Sequence, residues 1–83
     1  VLLAEHERGI QEILRYLLKA LDYEVICATE GTSVIEIVRR EQPDIIIIDS
    51  NLPLTGGLEV SKALREDFLT AHIPVIILID KKQ

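Results

Sequence analysis

The sequence has no methionine, no tryptophan and a single cysteine, Cys27. One thiol excludes an internal disulfide and fits a reducing compartment, so a cytoplasmic location is expected. Positive charge is scarce: nine Lys and Arg stand against fourteen Asp and Glu, giving a net charge of -5 and a pI near 4.9. A nucleic-acid-binding face needs a basic stripe, and none is present, so no direct nucleic-acid contact is expected. Long apolar runs are missing too. The longest, Ile73 to Ile79, contains Pro74 and falls far short of the ~20 residues that cross a membrane, so no membrane partner is expected. No secretory leader, repeat, linker or low-complexity stretch is visible. The chain opens on Val1 rather than Met, so upstream residues are expected.

What is present is apolar and aliphatic. Hydrophobic residues make up 48% of the chain, thirteen of them Ile and twelve Leu, and 28% of residues are charged. That is too hydrophobic for a disordered chain. It suffices for the core of one small domain, although a chain of this length buries only ~60–65% of its unfolded surface.

The apolar pattern alternates between two periods. Val1 to Ala4 is a short apolar run that ends at Glu5-His6-Glu7 and reads as a buried strand. Ile10, Ile13, Leu14, Leu17, Leu18 and Leu21 form one helical stripe read as core, and Asp22 ends it. Tyr23 to Ala28 reads as a second strand, with Cys27 as a small buried hydrophobe. A second helix is expected to start at Thr32 or Ser33, capped by one of them with Glu36 reaching back. Val34, Ile35, Ile37 and Val38 would form its inner face, and Gln42-Pro43 its end. Arg39-Arg40 near that end suits the helix dipole.

Asp44 to Asp49 carries four consecutive isoleucines, β-branched and stiff. An unbroken apolar run marks a strand buried on both faces, as in a parallel sheet covered by helices. Ser50 to Gly57 reads as a loop in which Gly56 and Gly57 serve backbone geometry. Leu58 to Phe68 reads as a third helix, with Val60, Leu64 and Phe68 spaced by four. Ile73 to Ile79 reads as a fourth strand near a tolerated proline, followed by Asp80 and a solvated Lys81-Lys82. Regular alternation predicts βαβ units, right-handed crossovers and a doubly wound parallel sheet with helices on both faces.

In such a sheet the ligand crevice lies beyond the carboxyl ends of the strands. Glu5, His6 and Glu7 follow the first strand, and Asp49, Ser50 and Asn51 end the third. If these strands are neighbours, Glu5 and Asp49 converge. Two facing carboxylates repel, and a divalent cation relieves the repulsion; oxygen ligands favour Mg²⁺. A carboxylate is also a nucleophile toward phosphorus, and Mg²⁺ would neutralise the charge of transfer. The residues therefore point to metal-assisted phosphoryl transfer to Asp49.

The segment from Pro43 to Pro53, Pro-Asp-Ile-Ile-Ile-Ile-Asp-Ser-Asn-Leu-Pro, resembles the acceptor strand of response-regulator receiver domains. Gly57-Leu58-Glu59-Val60 is similar to the start of that family's third helix, Ile73 to Leu78 to its fourth strand, and Val1 to Glu7 to its first strand and acidic turn. The resemblance covers all 83 residues. It implies a flavodoxin-like sheet of order 2-1-3-4(-5), of which residues 1–83 hold the first four strands and three helices. It also implies a signalling role rather than an enzymatic one. Asp49 matches the phosphoacceptor, Glu5 the first acid of the metal pair, and Asn51 the position whose carbonyl joins the Mg²⁺ shell. Ile79 matches the switch hydroxyl position. A histidine kinase and an output domain or downstream protein are the partners implied.

Two positions depart from the family pattern. His6 stands where a second acid is usual; imidazole is a poor Mg²⁺ ligand and suits softer metals. The bland reading of His6 is a polar residue in the crevice bonded to Asp49. Ile79 has no hydroxyl. The family's lysine, fifth strand and last two helices lie beyond Gln83. The chain is therefore expected to be a fragment, or to cover the open edge of its fourth strand with a second copy. The departures favour, as the alternative, a degenerate receiver serving as a protein-interaction module. A haloacid-dehalogenase-type phosphatase fits less well, since it needs a second Asp where Asn51 stands. A nucleotide-binding fold fits worse still, because Glu5-His6-Glu7-Arg8 occupies the place of a glycine-rich loop.

Overall fold

The computed structural model describes residues 1–79. Its elements are β1 (Leu2–Ala4), α1 (Arg8–Ala20), β2 (Ile26–Ala28), α2 (Gly31–Glu41), β3 (Ile46–Asp49), α3 (Gly57–Glu66) and β4 (Val75–Leu78). The four strands form one sheet of order β2-β1-β3-β4, with every pairing parallel. This is the doubly wound arrangement expected from the alternation of elements. Lys81, Lys82 and the acid expected at Asp80 lie outside the described residues.

The pleat sorts the strand residues between two unequal faces. Leu2, Ala4, Ile46 and Ile48 point to one side and are buried with Val34 and Val38 of α2 and Val60 and Leu64 of α3. This is the core, and two helices close it. Leu3, Cys27 and Ile47 alternate to the other side, where α1 lies. Leu3 is fully buried, whereas Cys27 and Ile47 are half-buried. The isoleucine run is therefore not equally covered on its two faces.

That asymmetry corrects the reading of α1. No residue of the helix is buried. Leu14 and Leu18 are half-buried, while Ile10, Ile13, Leu17 and the following Leu21 are exposed. A lone helix presses only one line of its stripe on the sheet. The flank of the stripe needs a second helix beside it, as α2 and α3 provide for each other on the opposite face.

β3 and β4 are shorter than expected, at Ile46–Asp49 and Val75–Leu78, and three further boundaries differ, each for a local reason. β2 begins at Ile26 rather than Tyr23, because only Ile26, Cys27 and Ala28 have ladder partners in the three-residue β1. α2 begins at Gly31 with Glu30 in the capping position and no side-chain cap, so neither Thr32 nor Ser33 caps it. Ser33 lies inside the first turn, and its hydroxyl donates back to the Glu30 carbonyl at 3.0 Å. At this start the Gly31 N–H donates to the Pro53 carbonyl, and a Cβ at Gly31 would strike the Thr55 carbonyl. α3 stops at Glu66. The Asp67 carboxylate accepts the Leu69 N–H at 2.9 Å, an Asx turn that competes with the helix, and Phe68 is left 93% exposed.

The turn after α3 ties the layer together. Arg39 of α2 donates to Asp67 at 2.6 Å, and the Leu69 N–H and Arg39 together hold the Asp67 carboxyl below the usual range. Thr70, 1% exposed, donates its hydroxyl to the Leu64 carbonyl at 2.6 Å and so satisfies one of the last carbonyls of α3. Thr70→Val keeps the shape and removes this bond. It is expected to lower stability by about 1–2 kcal/mol, read as a shift in the urea midpoint without a change in slope.

Candidate functional site

The site sits where β1 and β3 end side by side. Ala4 is in register with Ile48, so the next residue of each strand, Glu5 and Asp49, emerges at the same level of the sheet edge. On the far side of β3, Asp49 is in register with Leu78, and the Ser50 N–H donates to the Leu78 carbonyl at 2.9 Å. Ile79 follows directly and is exposed.

Asp49 is anchored at both oxygens. Oδ1 accepts the Asn51 N–H at 3.0 Å, and Oδ2 lies 3.0 Å from His6 Nδ1. Asn51 thus touches Asp49 through its amide, and its side chain is exposed. The hydrogen bond from His6 is the one expected on the bland reading of that residue. Burial works to raise the Asp49 pKa, but hydrogen bonds from Glu5, the Asn51 N–H and His6 outweigh it and hold the carboxyl below its ordinary value.

Glu5 is the expected second carboxylate, but its burial is not the expected one. It is 3% exposed, and its Oε2 has no hydrogen-bond partner. Burial first, then its hydrogen bond to Asp49 and the repulsion between the two carboxylates, push its pKa up to about 7. The two directions agree: of the two facing carboxyls, Glu5 is the one that holds a proton more readily. Gln11 of α1 donates to the Glu5 carbonyl at 3.0 Å and so fixes the turn that carries Glu5 and His6.

The floor of the site is made by a close approach of backbone. The Gly57 N–H donates to the Ser50 carbonyl at 3.0 Å, and a Cβ at Gly57 would strike the Asp49 carbonyl. No glycine of the chain has positive φ, so space, not conformational freedom, requires glycine here. The positive φ of this loop belongs to Leu54, at 72°, where a Thr55 N–H to Pro53 carbonyl bond closes a γ-turn. Gly31, buried against Thr55, and the left-handed Leu54 gave no signal in the sequence, because the partner of one and the turn of the other are set by tertiary packing.

Among the described residues, Glu5, His6 and Asp49 are the group able to hold a metal ion: one ligand atom of each lies within 4.8 Å of the others. A parallel α/β sheet of order 2-1-3-4 with an aspartate at the end of β3 and an acid at the end of β1 is the frame that the sequence resemblance implied. The sequence profile of the response regulator receiver domain matches residues 1–83. The chain belongs to that family.

Solved structures agree. A candidate response regulator from Chloroflexus aurantiacus superposes with a TM-score of 0.89 at 28% identity, over 92% of this chain and 62% of that one. A chemotaxis response regulator of Vibrio cholerae gives 0.86 at 26%, over 92% and 63%. The receiver domain of a sensor histidine kinase from Pseudomonas aeruginosa, solved with a magnesium ion coordinated in its active-site cleft, gives 0.88 at 25%, over 92% and 62%. The chain therefore spans somewhat under two thirds of the structures it matches. Receiver domains are modules of two-component phosphorelay signalling, and the fold of this one is flavodoxin-like. No helix of the described residues is long and apolar enough to cross a membrane.

Proposed function

We propose that this receiver domain accepts a phosphoryl group on Asp49 from a histidine kinase and relays the signal to an output domain or partner, in the cytoplasm. The supporting observation is the pairing of a half-buried, backbone-anchored Asp49 with a buried Glu5 whose Oε2 lacks a partner. An ionised carboxylate in that position is stable only beside a cation or a proton. Glu5 and Asp49 suit Mg²⁺, which takes one or two carboxylates and otherwise keeps its waters, with the Asn51 carbonyl as a third protein oxygen. When bound, Mg²⁺ supplies charge neutralisation for the transferring phosphoryl group.

The chain's own residues do the rest. The Asn51 N–H holds one Asp49 oxygen, and the low pKa keeps the carboxylate free as a nucleophile. An Asp49 oxygen attacks phosphorus, the bond from phosphorus to the donor nitrogen breaks, and its electron pair stays with the donor imidazole, which takes up a proton. The outcome is an acyl phosphate on Asp49.

Treatment with a small phosphodonor and Mg²⁺ tests the reading. Wild type gains one phosphoryl group in its intact mass and Asp49→Asn gains none; equal labelling of both contradicts it. His6→Asp restores a third anion, and its Mg²⁺ affinity is expected to rise roughly ten- to hundredfold by titration calorimetry, since a charged contact of 1–3 kcal/mol is regained. A second reading, a degenerate receiver that acts as an interaction module, draws on two observations: the imidazole already engages Asp49 Oδ2, and Ile79 brings no hydroxyl to the end of β4. It is favoured if no phosphoryl group is gained.

A further inference from the structure

We infer that the crevice selects a nitrogen-accepting divalent transition ion such as Zn²⁺ over Mg²⁺, with Glu5 Oε2, His6 Nδ1 and Asp49 Oδ2 as its protein ligands. The inference rests on the placement of the metal site proposed above and concerns which ion fills it.

Geometry is the first support. His6 Nδ1 lies 3.0 Å from Asp49 Oδ2 and 4.0 Å from Glu5 Oε2. Two atoms that share one ion at ~2.0–2.2 Å stand no more than about 4.4 Å apart, and both distances fall within that limit. The ring nitrogen turned toward the carboxylates is thus already at ligand distance. The second support is the unpartnered Glu5 Oε2, on a residue 97% buried by its 3% exposure. Of the groups around it, His6 Nδ1 at 4.0 Å is too far to donate a hydrogen bond, and an ion between the two would satisfy both. Donor chemistry is the third. Imidazole and carboxylate together are ligands of zinc sites that keep an open position, and imidazole suits transition ions, whereas Mg²⁺ accepts nitrogen poorly and demands near-octahedral oxygen coordination. His6 Nδ1 already meets Asp49 Oδ2 at 3.0 Å, so binding an ion there needs no large movement of the ring. Its side chain, 43% exposed, has room for the small rotation required.

Any site with carboxylates binds Zn²⁺ more tightly than Mg²⁺, so the informative quantity is how the preference depends on His6. Titration calorimetry of the full-length protein with ZnCl₂ and with MgCl₂, for wild type, His6→Asp and His6→Ala, measures it. The ratio of Mg²⁺ to Zn²⁺ dissociation constants is expected to fall at least about tenfold in His6→Asp, and Zn²⁺ affinity to fall by a similar factor in His6→Ala, the size expected for a lost ligand interaction. In parallel, Zn²⁺ should shift the ring resonances of His6 at one equivalent and leave those of His72 unchanged. An unchanged ratio, an unshifted His6 ring, or no Zn²⁺ binding at all overturns the inference. Failure of the two readings is separable. Phosphorylation of Asp49 with a His6-independent ion preference sinks this one alone. A His6-dependent ion preference without phosphorylation of Asp49 sinks the acceptor reading alone.

Discussion

Gly57→Ala is expected to destabilise the domain by about 3 kcal/mol or more, the upper end for an overpacked site. The added methyl group has nowhere to go, because it meets the Asp49 carbonyl and the Ser50 Cα, which are backbone atoms rather than the flexible end of a side chain. Relief requires α3 to move off the end of β3, and the Gly57 N–H to Ser50 carbonyl bond at 3.0 Å is then lost with it. Val60 and Leu64, each 1% exposed, leave the core as the helix shifts. Small domains have little stability to lose, so a large unfolded fraction is expected at 37 °C, visible as loss of cooperativity in a thermal melt. Gly9, where an added methyl group would meet open space, is the control: Gly9→Ala lies within α1 and is expected to be neutral or stabilising by up to about 1 kcal/mol. A Gly57→Ala protein as stable as wild type would show that the turn after β3 is softer than its contacts indicate.

Glu5→Gln should stabilise the protein, but only where the native carboxyl is ionised. The folded-state pKa is about 7, against 4.5 for the unconstrained group. Below about pH 4.5 both folded and unfolded chains hold the proton, and the substitution has no electrostatic effect. From there to pH 7 the unfolded chain releases its proton while the folded chain keeps it, so wild-type stability falls as pH rises. Above pH 7 the full penalty of a buried, unpartnered carboxylate facing Asp49 is present. The interval of 2.5 between 7 and 4.5 corresponds to an upper bound of roughly 3–4 kcal/mol. An amide removes the charge and can donate to Asp49. Denaturant unfolding at pH 4 and pH 8 should therefore give a Glu5→Gln gain near zero at the first and about 2–3 kcal/mol at the second. A divalent cation should narrow the gap at pH 8 by stabilising wild type more than the variant, which has lost one ligand. A gain of equal size at both pH values would assign the effect to packing rather than to charge.

These two residues also mark what the sequence does and does not disclose. The sheet order and Asp49 were legible because they follow from strong regularities: alternating elements require parallel strands, and the last residue of a doubly apolar strand faces the crevice. Gly57 was legible only as a glycine at a loop end; that it must lie against Asp49 depends on where α3 packs. Glu5 was legible as a crevice acid, but its near-complete burial was not, since a strand-end glutamate reads as solvated until the neighbouring strand is placed. The misread start of α2 has the same origin. Thr32 and Ser33 looked like caps by local chemistry, yet the helix starts at Gly31, whose contacts are with Pro53 and Thr55, more than twenty positions away. The apolar stripe of α1 was correct as a period and wrong as a burial assignment, because burial depends on the neighbour across the face. Thr70 and Asp67, which close the end of α3 through side-chain bonds to backbone, carry no periodic signal at all.

Peptide mapping by mass spectrometry after reaction with a phosphodonor decides whether Asp49 receives the phosphoryl group. Borohydride reduction of the acyl phosphate leaves a permanent mark on the acceptor side chain. That mark is expected at position 49 alone, absent without a divalent cation and absent in Asp49→Asn. A mark on Glu5, on His6 or on any other residue with Asp49 unmodified would contradict it.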